Sequence, residues 1–153
     1  MLTIGTKYLG DVEIDRNKVI RFPSGIPGFL DELEFIVLEL PGNPIFQILQ
    51  SVKTADLAFI VVNPYHFYKD YEFKLDEHLV ATLQLTSEED VTVLTIVTLK
   101  QPFQQSTINL KAPLIINHKL NVGKQYVLNS DKYSIKAPIA SNQTAPQKGD
   151  LSC

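Results

Sequence analysis

The sequence predicts a mostly β fold: a single compact domain built from an antiparallel sheet, barrel-like or sandwich-like, with one short helix. Three observations lead to this prediction. Short runs of β-branched and aromatic residues recur along the chain, and Gly, Pro, Asn and Asp separate them. Only residues 76–85 have the composition and spacing of a helix. The 153 residues are 44% apolar, which is enough for one domain with a real core.

The strands are predicted from these runs, taken in chain order. We predict strands at residues 12–14, 19–22, 35–40, 45–52, 57–62, 91–99, 107–110, 114–117, 126–128 and 133–135. The run at 57–62 is apolar throughout, so we expect a central strand with both faces covered. So many short strands in one domain indicate a sandwich or a strongly curved sheet.

Residues 76–85 predict the one helix. Leu79 and Leu83 lie four positions apart, which places them on one helical face. Asp76 can cap the first turn, and Glu77 suits the positive end of the helix dipole.

The end of the chain differs from the rest in composition. Residues 139–153 are polar with scattered alanines and bury little, so we predict a disordered tail after a folded domain at residues 1–138. Cys153 is the one cysteine of the chain, and no internal disulfide is expected. The longest apolar run is too short to cross a membrane, and residues 1–7 lack a signal-peptide pattern. We therefore expect a cytoplasmic protein that binds no membrane.

The net charge of −3 is distributed unevenly. Residues 31–90 carry 12 acidic and 3 basic side chains, whereas residues 91–153 carry 2 acidic and 7 basic ones. An acidic middle repels the phosphates of nucleic acids, so we expect no direct binding of RNA or DNA. The same charge favours a basic partner.

The sequence contains no pattern typical of an enzyme or a metal site. His66, His78 and His118 have no second His, Cys or Asp at metal-ligand spacing. Nucleophile, phosphate-loop and dinucleotide motifs are absent from the sequence as well. We therefore expect no catalytic residue, no metal and no cofactor.

A segment rich in glycine and proline indicates a rigid double turn between two predicted strands. Its residues are Phe22, Pro23, Gly25, Ile26, Pro27, Gly28 and Phe29. The glycines can adopt positive φ and the prolines fix φ, while the three apolar side chains are expected to anchor the turn in the core. Because the prolines remove or restrict backbone donors, a phosphate-binding loop is the weaker interpretation.

Aromatic and acidic side chains are interleaved in the segment before the predicted helix and at its start. The aromatic ones are Tyr65, Phe67, Tyr68, Tyr71 and Phe73, and the acidic ones are Asp70, Glu72, Asp76 and Glu77. Such aromatics can stack nucleic-acid bases, and a nucleic-acid-binding β-barrel is the alternative function, although the carboxylates oppose it. Two interpretations stay open: a surface that binds a basic protein, or aromatics that alternate into the core.

A further set of short motifs follows one another along the chain at residues 22–23, 25–29, 35, 49–51, 58–59, 64, 70–71, 107–115 and 117. In these motifs and their order, the sequence resembles the FliW family of flagellar assembly factors, and the resemblance covers roughly residues 2–136. The later match includes Asn109 and Pro113. Each motif alone is weak, whereas the ordered set is specific.

The resemblance implies a non-enzymatic regulator with a compact β-barrel-like fold. Proteins of this family bind the RNA-binding translational repressor CsrA and relieve its repression of flagellin synthesis. They also bind flagellin, and the two partners exclude each other. The resemblance further implies that the effect on CsrA is allosteric, at a surface away from its RNA site.

Candidate contacts with these partners are hypotheses at this stage. We expect the CsrA-binding face to include Asp70, Glu72, Asp76, Glu77, Phe67 and Tyr71. For flagellin, the matching polar residues Gln50, Ser51 and Asn63 are candidate contacts. The same three residues can instead be buried hydrogen-bonding side chains in a β core, and this second interpretation is slightly favoured.

Overall fold

The computed structural model describes residues 1–139 of the chain. Its strands are β1 (Leu2–Gly5), β2 (Asp11–Ile14), β3 (Ile20–Arg21), β4 (Glu34–Leu40), β5 (Asn43–Ser51), β6 (Ala58–Val62), β7 (Val91–Thr98), β8 (Thr107–Ile108), β9 (Leu114–Asn117), β10 (Val122–Gln125) and β11 (Ala137–Pro138). The one α-helix of this described part, α1 (Glu77–Thr82), lies between β6 and β7. The predicted mostly β fold with one short helix is confirmed.

Strand β7 closes the large sheet into a ring. Nine strands follow the order β11-β8-β7-β6-β5-β4-β3-β10-β9, and the first half of β7 also pairs with β9. Within the part that the structure describes, the pairs are antiparallel except that β3 and β10 run in parallel through Arg21 and Val122. β1 and β2 form a separate antiparallel pair.

Most of the predicted strands are present in the structure. Strands β4 to β7 and β9 begin and end within two residues of the predicted bounds. The strands predicted at 126–128 and 133–135 are wrong, because the backbone there makes single bonds instead of a ladder, as from Tyr126 N to the Pro113 carbonyl (2.8 Å). The sequence does not indicate β1, nor β10, whose Gly123 and polar neighbours weaken the strand pattern.

Apolar side chains cover both faces of the central strands, because successive residues of a strand point to opposite sides. One cluster contains the completely buried side chains of Phe22, Phe35, Leu49, Val61 and Leu114. A second cluster packs against the segments before α1 and after β10, and includes Phe46, Ile48, Val62, Tyr71, Ile108, Leu128 and Ile139. Strand β6 contributes to both clusters, as expected for a central strand.

The packed part of the chain extends beyond its predicted end. Ile139, the first residue of the predicted tail, is 3% exposed. Its backbone N–H donates to the Ser106 carbonyl at 3.1 Å, which continues the contact of β11 with the β8 region. The rest of the predicted tail, residues 140–153, lies outside the described residues.

The segment after β3 forms the predicted double turn. Gly25 and Gly28 have φ of +69° and +91°, in the left-handed region that favours glycine. Phe22 and Ile26 are buried as predicted. The predicted core position of Phe29 is wrong: this side chain is 42% exposed, because the tight turn closed by its N–H and the Ile26 carbonyl (2.7 Å) leaves the ring at the rim.

A second matching motif also has a structural role. The side-chain oxygen of Asn109 accepts a hydrogen bond from the Ala112 backbone N–H at 3.0 Å, which shapes the turn between β8 and β9. Pro113 follows that turn as a buried residue, and its carbonyl accepts the bond from Tyr126 described above.

Replacing the two turn glycines by alanine separates backbone strain from steric overlap. An added Cβ at Gly25 would lie 2.7 Å from the Cα and the carbonyl oxygen of Leu30, whereas no such atom lies within 4 Å at Gly28. Gly28→Ala should lower the free energy of unfolding by about 1–2 kcal/mol through its positive φ alone. Gly25→Ala should lower it further. Urea unfolding measures both, and equal losses would contradict the overlap with Leu30.

Candidate protein-binding surface

The surface begins where β6 ends and the chain leaves the sheet. Asn63 is exposed, and its side-chain oxygen accepts the Tyr65 backbone N–H at 2.9 Å, which caps a single 3-10 turn over Pro64–His66. Phe67 is half-buried, and its ring lies 6.1 Å from that of Phe46 in the core. This segment is therefore anchored by aromatic packing and by capping of its first turn.

Tyr71, predicted as a partner contact, is a core residue. Its side chain is 3% exposed, and its hydroxyl donates a hydrogen bond to the Leu110 carbonyl at 2.6 Å. The rings of Tyr65, Phe73 and Tyr133 surround it, with centroids 4.7 to 5.7 Å away. Burial is the main cause that raises the pKa of Tyr71, followed by the two neighbouring tyrosines.

Helix α1 starts as the sequence predicts. The carboxylate of Asp76 accepts the Leu79 backbone N–H at 2.7 Å and so caps the first turn. Leu79 and Leu83 are buried against Ile115 of β9. Glu77, the first helical residue, remains exposed to solvent. Asp76 thus stabilises the helix start, whereas the exposed carboxylate of Glu77 is accessible to a partner.

Two open grooves lie side by side on this part of the surface. The first, which we name the tyrosine groove, has a volume of about 600 Å³ and is lined by Tyr65, Glu72, Phe73, Lys74, Leu75, Glu88, Val91 and Val93. The second, the helix groove, has a volume of about 580 Å³ and is lined by Leu75, Glu77, Val80, Ala81, Gln84, Leu85, Thr86, Asp90, Asn117, Lys119 and Leu120. They share Leu75.

The grooves bring together only some of the predicted acidic residues. Glu72 lines the tyrosine groove and Glu77 the helix groove, and Glu88, which the sequence analysis did not select, joins Glu72. Asp70 and Asp76 are exposed but line neither groove. The exposed carboxylates and the partly exposed Tyr65 ring therefore form an acidic and aromatic surface, which suits a protein partner better than a nucleic acid.

Gln50 and Ser51 are buried hydrogen-bonding residues, the interpretation slightly favoured from the sequence. Gln50 is completely buried, and its amide nitrogen lies 3.0 to 3.3 Å from four backbone carbonyls, that of Ser51 and three of the loop after β5. Its amide oxygen accepts the Lys7 backbone N–H at 3.0 Å. Ser51 donates to Glu32 at 2.7 Å, and this bond is the main cause that lowers the pKa of Glu32. Both side chains therefore make the internal contacts of a β core.

An ion pair that no sequence pattern indicates lies in the wall of the helix groove. Asp90 is buried directly before β7, with a side chain only 2% exposed, and its Oδ1 lies 2.9 Å from the Nζ of Lys119. Thr86 donates to the other carboxylate oxygen through its hydroxyl at 2.8 Å. These donors, Lys119 first and Thr86 second, lower the pKa of Asp90 to about 2.

Asn117 joins the two walls of the helix groove. Its amide nitrogen donates to the Leu83 carbonyl at the end of α1 at 2.8 Å, and its oxygen accepts the backbone N–H groups of Lys119 and Leu120 at 3.0 and 3.2 Å. The side chain is buried and cannot bond to water, so these backbone groups satisfy its polar atoms. The residue matched the family motif, but its contacts could not be read from the sequence.

The three histidines lie outside any cluster of metal-ligand type. His66, His78 and His118 are exposed, and a His118 ring nitrogen lies 2.6 Å from the Glu89 carbonyl. Within residues 1–139, no three His, Cys, Asp or Glu side chains come together in a way that could hold a metal ion. Over the same stretch, no helix has the length and apolar composition to cross a membrane.

Comparison with known proteins gives a consistent result. A family model described as "FliW protein" matches residues 3–139. The "Flagellar assembly factor FliW" of Oceanobacillus iheyensis is 52% identical over 140 residues, covering 92% of this chain and 95% of the relative. The protein of the same name from Bacillus subtilis is 47% identical, covering 90% and 96%. A solved structure, "Crystal structure of the flagellar assembly factor FliW", is similar with a TM-score of 0.84 at 41% identity, covering 90% and 96%.

The Asp90 ion pair makes stability depend on pH in a defined range. Because the pKa of Asp90 is lowered from 3.8 to about 2 in the folded state, the pair stabilises the fold above pH 4 and this contribution is lost as the pH falls toward 2. Asp90→Asn should therefore be less stable than the parent chain at pH 6, and the difference should shrink below pH 4. Urea midpoints at a series of pH values test this, and a constant difference would contradict it.

Proposed function

This chain belongs to the FliW family of flagellar assembly factors, and we propose that it is a non-enzymatic cytoplasmic regulator that binds CsrA and, alternatively, flagellin. In this proposal the chain antagonises CsrA, a translational repressor, by binding it away from its RNA-binding surface. Flagellin competes for the chain, so that flagellin synthesis follows flagellin export. The proposal rests on family membership and on the character of the acidic and aromatic surface.

The observation that carries the proposal is the position of the exposed carboxylates. Glu72, Glu77 and Glu88 line two adjoining grooves that also have apolar lining residues, and Asp70 is exposed close to Glu72 in the chain. Carboxylates around apolar contact area attract and orient a basic protein surface. In this proposal the basic area of CsrA that these carboxylates contact lies away from its RNA-binding surface.

The contacts of three polar side chains near the grooves favour a binding role over catalysis. The carboxylate of Asp76 caps a helix, that of Asp90 is paired with Lys119, and the Tyr71 hydroxyl is bonded to a backbone carbonyl. Each of these groups stabilises the shape of the surface. The Asp76 and Tyr71 side chains bond to backbone groups, and Lys119 and Thr86 hold Asp90 in its ionised form, so the contacts of all three are structural.

For flagellin, Asn63 is the candidate contact that is exposed. It directly precedes the 3-10 turn that carries Tyr65, and Tyr65 is 38% exposed in the wall of the tyrosine groove. A flagellin contact through Asn63 would lie next to the acidic surface proposed for CsrA. Neighbouring or overlapping contacts give a simple physical reason why the two partners exclude each other.

Reversing two exposed charges should weaken CsrA binding. Asp70→Lys with Glu72→Lys removes the long-range attraction that draws basic CsrA toward this surface. The association rate should therefore fall roughly tenfold at low salt, and the loss should shrink as the salt concentration rises. Surface plasmon resonance at several salt concentrations measures both rates.

The matched control reverses two exposed acids that line neither groove, Glu13→Lys with Glu39→Lys. It changes the net charge by the same amount and should leave the association rate nearly unchanged. If the two double variants lose binding equally, the proposed surface is wrong. If neither loses binding while both remain folded, CsrA does not use these carboxylates.

Partner exchange can be followed in a motile cell. The tagged chain should co-purify with CsrA while flagellin is exported, and with flagellin after export is blocked and flagellin accumulates. Quantitative mass spectrometry of the purified complexes measures the ratio of the two partners. Recovery of neither partner in both states would refute the proposed function, and simultaneous recovery in one complex would refute mutual exclusion.

A further inference from the structure

The helix groove contains the buried carboxylate of Asp90, which is paired with the largely exposed side chain of Lys119. The Asp90 carboxylate is 2% exposed, and Thr86 holds its Oδ2 through both its hydroxyl and its backbone N–H, at 2.8 and 3.3 Å. Lys119 lies on the turn between β9 and β10, and its side chain is 64% exposed. The anion is therefore held by the fold, whereas the cation reaches it from solvent.

The second oxygen of Asp90 depends on Lys119 alone. Among the described residues, Oδ1 has no hydrogen-bonding partner apart from its contact with the Lys119 ammonium at 2.9 Å. If that ammonium moved away, a buried carboxylate oxygen would be left without a partner, which is costly. Another cation of suitable reach could take its place, and Lys119 would return to water with little loss because it is already largely solvated.

We propose that Asp90 is a binding site for a basic side chain of a protein partner, and that Lys119 occupies this site in the free protein. A partner residue would displace Lys119 and form the same ion pair from the groove. The proposal concerns the chemistry of the helix groove and holds whichever protein the partner is. It goes beyond the function proposed above, which rests on the carboxylates at the surface.

The other lining residues indicate which kind of basic group the groove would bind. Leu75, Val80, Leu85 and Leu120 provide apolar contact area, and Leu120 is half exposed. Glu77 adds a second negative charge that faces the same groove. A small free amine would leave this apolar area uncovered, whereas a protein segment with Arg or Lys beside an apolar residue covers both. The expected occupant is such a segment.

Removing Lys119 should open the site to a synthetic probe. We would titrate acetyl-leucyl-arginine amide, with acetyl-leucyl-citrulline amide as a neutral probe of the same shape, into the parent chain and Lys119→Ala. The arginine probe should bind Lys119→Ala about tenfold or more tightly than it binds the parent chain, and more tightly than the citrulline probe does. Adding Asp90→Asn to Lys119→Ala should abolish both differences.

Several outcomes would overturn the proposal. Equal affinity of the two probes for Lys119→Ala would show that Asp90 does not bind the cation. Undiminished preference for the arginine probe in the double variant would place the site elsewhere, for example at Glu77. Equal binding of putrescine and the arginine probe would show that the site takes any small cation and has no preference for a protein segment.

A measurement on the unchanged chain applies even if Lys119→Ala does not fold. The rate of acetylation of each lysine by a water-soluble reagent can be followed by mass spectrometry. An excess of the arginine probe should release the Lys119 amine and speed its acetylation relative to exposed Lys69, whereas the citrulline probe should not. An unchanged ratio with both probes would refute the displacement of Lys119. Since these tests need no natural partner, their failure leaves the proposed binding of CsrA and flagellin unaffected.

Discussion

Closure of the sheet on β7 is the constraint on which the rest of the structure depends. One side of this strand pairs with β6, and the other side is divided between β9 and β8. A ring closed in this way has an inner face that must be filled and an outer face that must be covered. Phe22 and Phe35 help to fill the first, and the segments before α1 and after β10 cover the second together with α1 and the β1–β2 pair. The proposed protein-binding surface is the outside of that cover.

The same arrangement explains why the aromatic and acidic residues separate. Tyr71 turns inward to complete the outer-face cluster, and its hydroxyl finds a backbone acceptor there. Its neighbours Asp70 and Glu72 are then left in solvent. Tyr71 is therefore a core residue and the carboxylates beside it are exposed, whereas the binding of a basic protein by these carboxylates stays a prediction.

Local sequence patterns were sufficient for the fold class but not for every element. A few neighbouring residues are enough to predict β6 from its apolar run, β7 from its β-branched run and the start of α1 from Asp76. In these segments local propensity and burial favour the same structure. Strand β10 is different, because its Gly123 weakens the local strand pattern. An added Cβ at this position would lie 3.0 Å from the ring of Phe22, a residue about 100 positions earlier in the chain. Tertiary packing decides such positions, and no short window contains it.

The candidate site was predictable to a smaller extent. Exposed carboxylates at Glu72 and Glu77 follow from charge and helix capping, which are local properties. The Asp90–Lys119 pair and the contacts of Asn117 join distant parts of the chain, with Asn117 and Leu83 separated by 34 positions.

The buried Asn117 side chain also fixes how far apart the walls of the helix groove stand. A groove with a set width works as a rigid template, so a binding segment must supply the conformational adjustment and bear its entropic cost. Selectivity among related segments would then reflect how readily each adopts the required shape.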